Sequence, residues 1–369
     1  MMDNLKIKNH NNHTSRYEPN LRAAADWLIR SELRSGGSSA HYFPLFGWSR
    51  AYPETTGYII PTLLAICNRL KDPKYNSLAI KLGYWLLSIQ NADGSWNGGL
   101  HPTKIPRPSV FNTGQILKGL IALWRHTLDP LWIEAARRGN NWLSQGMAPD
   151  GLWLGIDYRA TSTPSYYTHV LWPMLEVAQE EGNVKIKTAV ERGLSRVLER
   201  LQPNGIIYGW GFTEDNSAFT HTIAYTIRGL QECGRLLGRS DIQDAVIPAL
   251  NTLVRRSELK CGQLPGTFNS DWKSTKNYVC LTGNAQIAKC ILIQEARVSD
   301  LRLVSAAARM IDVVCSNQNL VSLNGGIRGG VAGSSPLWGP YMRFRYPNWA
   351  AKYFCDAILA LLDRLDLEK

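Results

Sequence analysis

The chain has 369 residues, of which 44% are apolar and 19% charged, and its net charge is +11. These totals are ordinary for a globular protein with a sizeable core. No stretch approaches 18 uninterrupted apolar residues, which excludes a membrane-spanning helix. The absence of zinc-finger spacing, an RNP-type aromatic motif and a basic helical arm argues against nucleic acid as a partner.

The 13 Trp and 15 Tyr suit a large core and also a groove that stacks on ring-shaped ligands. The positive balance suits either a soluble basic surface or an acidic partner. Residues 1–17 are polar and rich in Asn and His, without the apolar run of a signal peptide. They read as a disordered tail, and 18–369 as a single domain. Seven cysteines form no CxxC pair, and Cys67, Cys290 and Cys355 lie inside apolar helical runs. A reducing, cytoplasmic compartment is therefore expected, with no disulfide framework.

Along the chain, one pattern recurs six times. Leu21–Leu33, Leu78–Ile89, Trp132–Ser144, Ile186–Leu201, Ile242–Val254 and Leu301–Val314 carry apolar residues at i, i+3, i+4 and i+7 with charges between them. That periodicity predicts helices with one face on a core and the other in water. Trp27, Trp85 and Trp142 occupy matching places, 58 and 57 residues apart. Several of these helices run into a turn containing Gly and ending in Trp: Asn91-Ala-Asp-Gly94-Ser-Trp96, Pro149-Asp-Gly151-Leu-Trp153, and Asn204-Gly205 leading to Trp210.

A second, more uniformly apolar helix follows each turn, opening at Thr56, Thr113, Thr168, Thr222, Thr282 and Asn348. The Thr positions are 57, 55, 54 and 60 residues apart. Helices apolar on all sides are buried on all sides. Two alternating classes of six predict an all-α fold, an (α/α)6 toroid of six helical hairpins with an inner and an outer ring. An open solenoid of hairpins is the alternative.

The run Lys81-Leu-Gly83-Tyr-Trp85 to Gln90, with Gly94 and Trp96, resembles the QW repeat of terpenoid cyclases; Trp142, Gln145, Gly151 and Trp153 form a looser copy. Over roughly residues 20–365 the chain resembles the alpha/alpha-toroid superfamilies. These comprise the six-hairpin glycosidases and polysaccharide lyases, and the terpenoid cyclase and protein prenyltransferase group. The QW repeat is structural in those families, so it speaks for the fold more than for an activity. The DxDD acid run of class II cyclases is missing, and Cys261, Asp271 and His221 do not have prenyltransferase zinc spacing. The resemblance thus implies a carbohydrate-active enzyme, a glycoside hydrolase or polysaccharide lyase, needing neither metal nor cofactor. An isoprenoid-handling toroid and a non-catalytic scaffold remain the alternatives.

In such rings the inner helices start at one end and form a funnel there, where free N–H groups favour anions. Glu54 sits at the first start. Hydrolysis needs a second carboxylate, and Asp157, Glu214 and Asp215 are the candidates. His221 and Tyr225, four apart, share one helix face and supply the proton-abstraction chemistry that the resemblance to toroid lyases implies. Tyr52, Tyr58, Trp96, Asn112, Tyr167, His169, Trp210, Asn284 and Asn348 are the expected sugar-binding residues. The Gly-rich stretch from Asn324 through Gly339, with Arg328, Arg343 and Arg345 nearby, is expected to clamp an anionic carbohydrate. Imported oligosaccharide or a surface-polysaccharide precursor would fit a cytoplasmic enzyme.

Overall fold

The computed structural model describes residues 2–153, 163–212, 217–274 and 276–367, with side chains from Arg16 onward. Six outer helical positions alternate with six inner helices. The outer ones are α1 (Met2–Arg30), α3 (Lys74–Ser88), α5 (Pro130–Gln145), α7 (Val184–Leu198), the pair α9 (Ser240–Asp244) and α10 (Ile247–Glu258), and α12 (Leu301–Asn317). The inner ones are α2 (Pro53–Leu70), α4 (Val110–Thr127), α6 (Thr168–Glu180), α8 (Thr220–Leu237), α11 (Leu281–Val298) and α13 (Asn348–Asp366). The expected fifth outer helix is broken in two just before Pro248, whose ring cannot continue a helical hydrogen-bond ladder. Helix α1 begins before the expected Leu21, and Tyr17 is already buried, donating to Asp312 at 3.0 Å.

Each inner helix packs on the next: α2 on α4, α4 on α6, α6 on α8, α8 on α11, α11 on α13, and α13 back on α2. That last contact closes the ring and rules out an open solenoid. Close approach between inner helices explains the Thr-Gly pairs. A Cβ on Gly57 would meet the Ile116 Cα at 2.6 Å, and one on Gly283 would meet the Thr220 Cβ at 2.7 Å. The threonines themselves receive the preceding turn. Thr56 Oγ1 accepts from the Ser38 amide and Thr113 Oγ1 from the Trp96 amide, both at 3.0 Å.

The QW-like segments are ties. The Trp96 indole donates to the Leu86 carbonyl at 2.8 Å, and Trp153 to Leu143 at 2.9 Å. Gln90 Nε2 reaches the carbonyls of Gly94 and Ala135 at 2.9 and 3.0 Å, joining its own turn to the next outer helix. Short turns link inner to outer helices on one face, and long loops link outer to inner on the other. Neighbouring long loops are zipped by strands of two or three residues. His41–Phe43 pairs with Tyr346–Pro347, Ala218–Phe219 with Thr267–Phe268, and Val279–Cys280 with Ser334–Ser335.

Candidate functional site

All six inner helices point their N-termini at the long-loop face, so residues far apart in sequence share one rim. One turn separates i from i+4, and the ring is therefore layered. Glu54, His221 and Trp349 occupy the top turn. Tyr58, Tyr225 and Tyr353 lie directly below them. Lys118, Arg228, Lys289 and Asp356 sit on the third turn.

The top two layers form a continuous set of ring contacts. His221 stacks on Tyr341 at 4.6 Å and touches Tyr225 at 5.9 Å. Tyr225 meets Tyr353 at 5.9 Å and His169 at 4.5 Å, and Tyr353 meets Tyr58 at 5.5 Å. The Glu54 carboxylate is close enough to push Tyr58, Tyr225 and Tyr353 upward in pKa, in each case as a smaller effect than burial. Burial lowers His221 to about 3. At neutral pH the imidazole therefore holds no second proton, while the Tyr225 phenol keeps its own. His221 Nδ1 is buried without a protein partner.

Four of the six inner helices also meet the rim without a side-chain cap. These are α2, α6, α8 and α13, whereas inner helices α4 and α11 are capped by Ser109 and Cys280. Uncapped N-termini present N–H groups and the positive end of the helix dipole.

The other sequence candidates fall into three groups. Tyr52 joins the rim through an edge contact with Trp349 at 6.3 Å, and Tyr167 through the Phe111 ring at 5.7 Å. His169 lies one layer down, its Nδ1 2.9 Å from Gln115 Oε1 and its Nε2 3.0 Å from Lys118 Nζ.

A second group is packed on or hydrogen-bonded to the scaffold, with Asn348 Oδ1 left unpartnered and Arg328 and Arg343 exposed. Trp96 is fully buried in its tie to Leu86, and Trp210 is buried against Trp272. Asn112 donates to the Asn97 carbonyl. Asn284 binds the Leu264 amide and the carbonyls of Gly262 and Met310. Asn348 donates to Ser38, Ser39 and Thr55. Arg343 donates to the Trp338 carbonyl, Arg345 to that of Arg343 while lying over Phe43, and the Arg328 carbonyl accepts from Arg30. Among the described residues these three arginines make no contact with Glu54, His221 or Tyr225. The third group, Asp157, Glu214 and Asp215, lies outside the described residues.

Below the tyrosine layer the bore widens into a cavity of about 280 Å³, lined by all six inner helices. The sequence pattern did not single out its Lys118, Trp172, Lys289 and Asp356, because the inner helices read as uniformly apolar. The usable signal was a charged residue at the same depth, eight after the helix start, in α4, α8, α11 and α13.

Ring closure and the layered rim define an (α/α)6 toroid of six hairpins. Solved structures share that architecture. Cellobiose 2-epimerase from Bacillus thermoamylovorans superposes with a TM-score of 0.78 at 12% identity, covering 96% of this chain and 100% of the other. An unsaturated glucuronyl hydrolase specific for heparin gives 0.76 at 14%, covering 94% and 96%. An unsaturated glucuronyl hydrolase from a Bacillus species, responsible for glycosaminoglycan degradation, gives 0.73 at 15%, covering 93% and 96%. In sequence, squalene–hopene cyclase of Zymomonas mobilis is 29% identical over 159 residues, 41% of this chain. The matched part spans only 22% of that cyclase's length. No family model matches the chain.

Proposed function

We propose that this toroid is a carbohydrate-active enzyme that works at the long-loop rim, cleaving a uronate-bearing saccharide by elimination. One observation carries the reading: a proton acceptor, His221, and a proton donor, Tyr225, one helical turn apart at a rim of uncapped helix N-termini. His221 takes the C5 proton of the uronate. The electron pair left behind forms the C4–C5 double bond, the C4–oxygen bond breaks, and the Tyr225 phenol protonates the departing oxygen. The substrate carboxylate, held by the helix N-termini, lies beside the imidazole and raises its proton affinity as transfer begins. Aromatic rims that stack on sugar rings support the same ligand class, as does the shared fold with the epimerase and glucuronyl hydrolases.

Hydrolysis is the second reading, favoured by the buried Glu54 on the first turn of α2. It requires a partner carboxylate. The Gln90 and Trp96 ties of the QW-like repeat are packing devices and carry no cyclase chemistry. The test is absorbance of the new double bond on a uronate oligosaccharide. Elimination predicts that His221→Ala and Tyr225→Phe abolish the signal while Glu54→Gln retains it. Saturated products abolished by Glu54→Gln would replace elimination with hydrolysis.

A further inference from the structure

The cavity below the tyrosine layer shares Tyr58, Tyr225 and Tyr353 with the rim as its roof but opens elsewhere. Its exposure runs the other way. Tyr58, Tyr225, Tyr353 and His169 at the top are buried, whereas Arg228 and Asp356 are partly exposed and Arg125 is open to solvent. The mouth is therefore on the short-turn face, at the C-terminal ends of the inner helices.

Its walls are unbalanced in charge. Among the described residues five cations line it, Lys118, Arg125, Arg228, Lys289 and Lys352, against two carboxylates, Glu176 and Asp356. Lys352 pairs with Asp356 at 2.6 Å, Arg125 with Glu176 at 3.4 Å, and Arg228 with Glu232 at 2.8 Å. Lys118 and Lys289 have no carboxylate within ion-pair distance among the described residues. The Lys118 ammonium instead rests 3.9 Å over the Trp172 ring and beside the neutral His169. A buried cation without a counter-ion is destabilising. Burial, with Lys352 and Arg228 nearby, pushes its pKa well down.

The same walls hold unpartnered polar atoms. Trp172 Nε1, Arg228 Nη1 and Gln286 Oε1 are all buried with no protein partner, and all three residues line this cavity. Buried polar groups are normally paired. Two donors and one acceptor without partners, gathered around unpaired lysines, specify a ligand with anionic and hydroxyl groups.

We propose that this chamber is a second ligand site, entered from the short-turn face, for a monosaccharide-sized organic anion held by Lys118, Arg228 and Lys289. The volume limits the body to about one sugar ring, since whole ligand pockets usually start near 300 Å³. Trp172 and Tyr353 offer it flat faces. The anionic group is a carboxylate or a phosphate. A uronic acid and a sugar phosphate share that chemistry, and the probes separate them.

The test is calorimetric titration of the full chain with glucuronate, glucose 1-phosphate and inorganic phosphate. At least one of the two sugar anions is expected to bind. Lys118→Met and Arg228→Ala should each weaken binding by about tenfold or more. His221→Ala, at the rim, should leave the affinity unchanged, which keeps this site distinguishable from the proposed active site. Lys118→Met should also unfold no earlier than wild type, because it removes an uncompensated buried charge, so lost binding will not reflect lost folding. Absence of binding by either sugar anion overturns the proposal. Binding that is indifferent to Lys118→Met and Arg228→Ala, or lost on His221→Ala, overturns it as well.

Discussion

Replacing Asn348 tests the closure of the ring. Its amide, at the start of α13, is fully buried and donates to Ser38 Oγ at 3.0 Å, the Ser39 carbonyl at 2.8 Å and Thr55 Oγ1 at 2.9 Å. All three partners lie in the first hairpin, some 300 residues earlier in the chain. Each hydrogen bond contributes a net of about 0.5–1.5 kcal/mol, and a buried acceptor left unpaired costs at least as much. Asn348→Ala should therefore lose about 2–4 kcal/mol, and Thr55→Val, which removes one of the three, about 1 kcal/mol. Urea unfolding followed by tryptophan fluorescence measures both. A loss below about 0.5 kcal/mol in Asn348→Ala would mean that the last repeat is not pinned to the first. Below the transition, turnover should persist, because the amide nitrogen is held by the scaffold.

Other outcomes follow from the same contacts. Gly94 sits at φ +92°, and a Cβ there would lie 2.5 Å from the Arg138 carbonyl oxygen; Gly94→Ala should destabilise by at least about 1–3 kcal/mol in the same assay. Burial holds His221 near 3, below its ordinary value of 6.5. The unfolded chain then binds a proton that the native chain does not between those values, so stability falls as pH drops through 6.5 toward 3. His221→Asn should flatten that slope by up to about 1.4 kcal/mol per pH unit. Lys118 is depressed below 10.5, so the unfolded state binds more protons up to that pH and wild-type stability rises with pH. The midpoint advantage of Lys118→Met, measured in denaturant, should shrink between pH 7 and 10 and would refute the burial argument if it grew.

The fold was legible because its repeat is written in residues with fixed mechanical jobs. Trp96 and Trp153 make the same backward tie, Thr56 and Thr113 each accept an amide of the preceding turn, and Gly57 and Gly283 allow neighbouring inner helices to touch. The rim was partly legible, since the i, i+4 spacing of His221 and Tyr225 fixes one face. The same reasoning did not separate rim residues from scaffold residues. Asn284 and Asn348 stand at inner-helix starts, but one faces an outer helix and the other the first hairpin. Such orientations depend on helix rotation, which spacing from a turn does not set. The chamber was illegible for a related reason. Lys118 and Lys289 look like ordinary surface cations inside apolar helices until the ring folds them inward.

The most direct measurement is a crystal structure of the Tyr225→Phe protein with a uronate oligosaccharide. The account predicts a sugar ring against His221 and Tyr341, its carboxylate toward the N-termini of α8 and α13 and its C5 hydrogen facing the imidazole. Saccharide bound on the outer helices, with the rim vacant at saturating ligand, would contradict it.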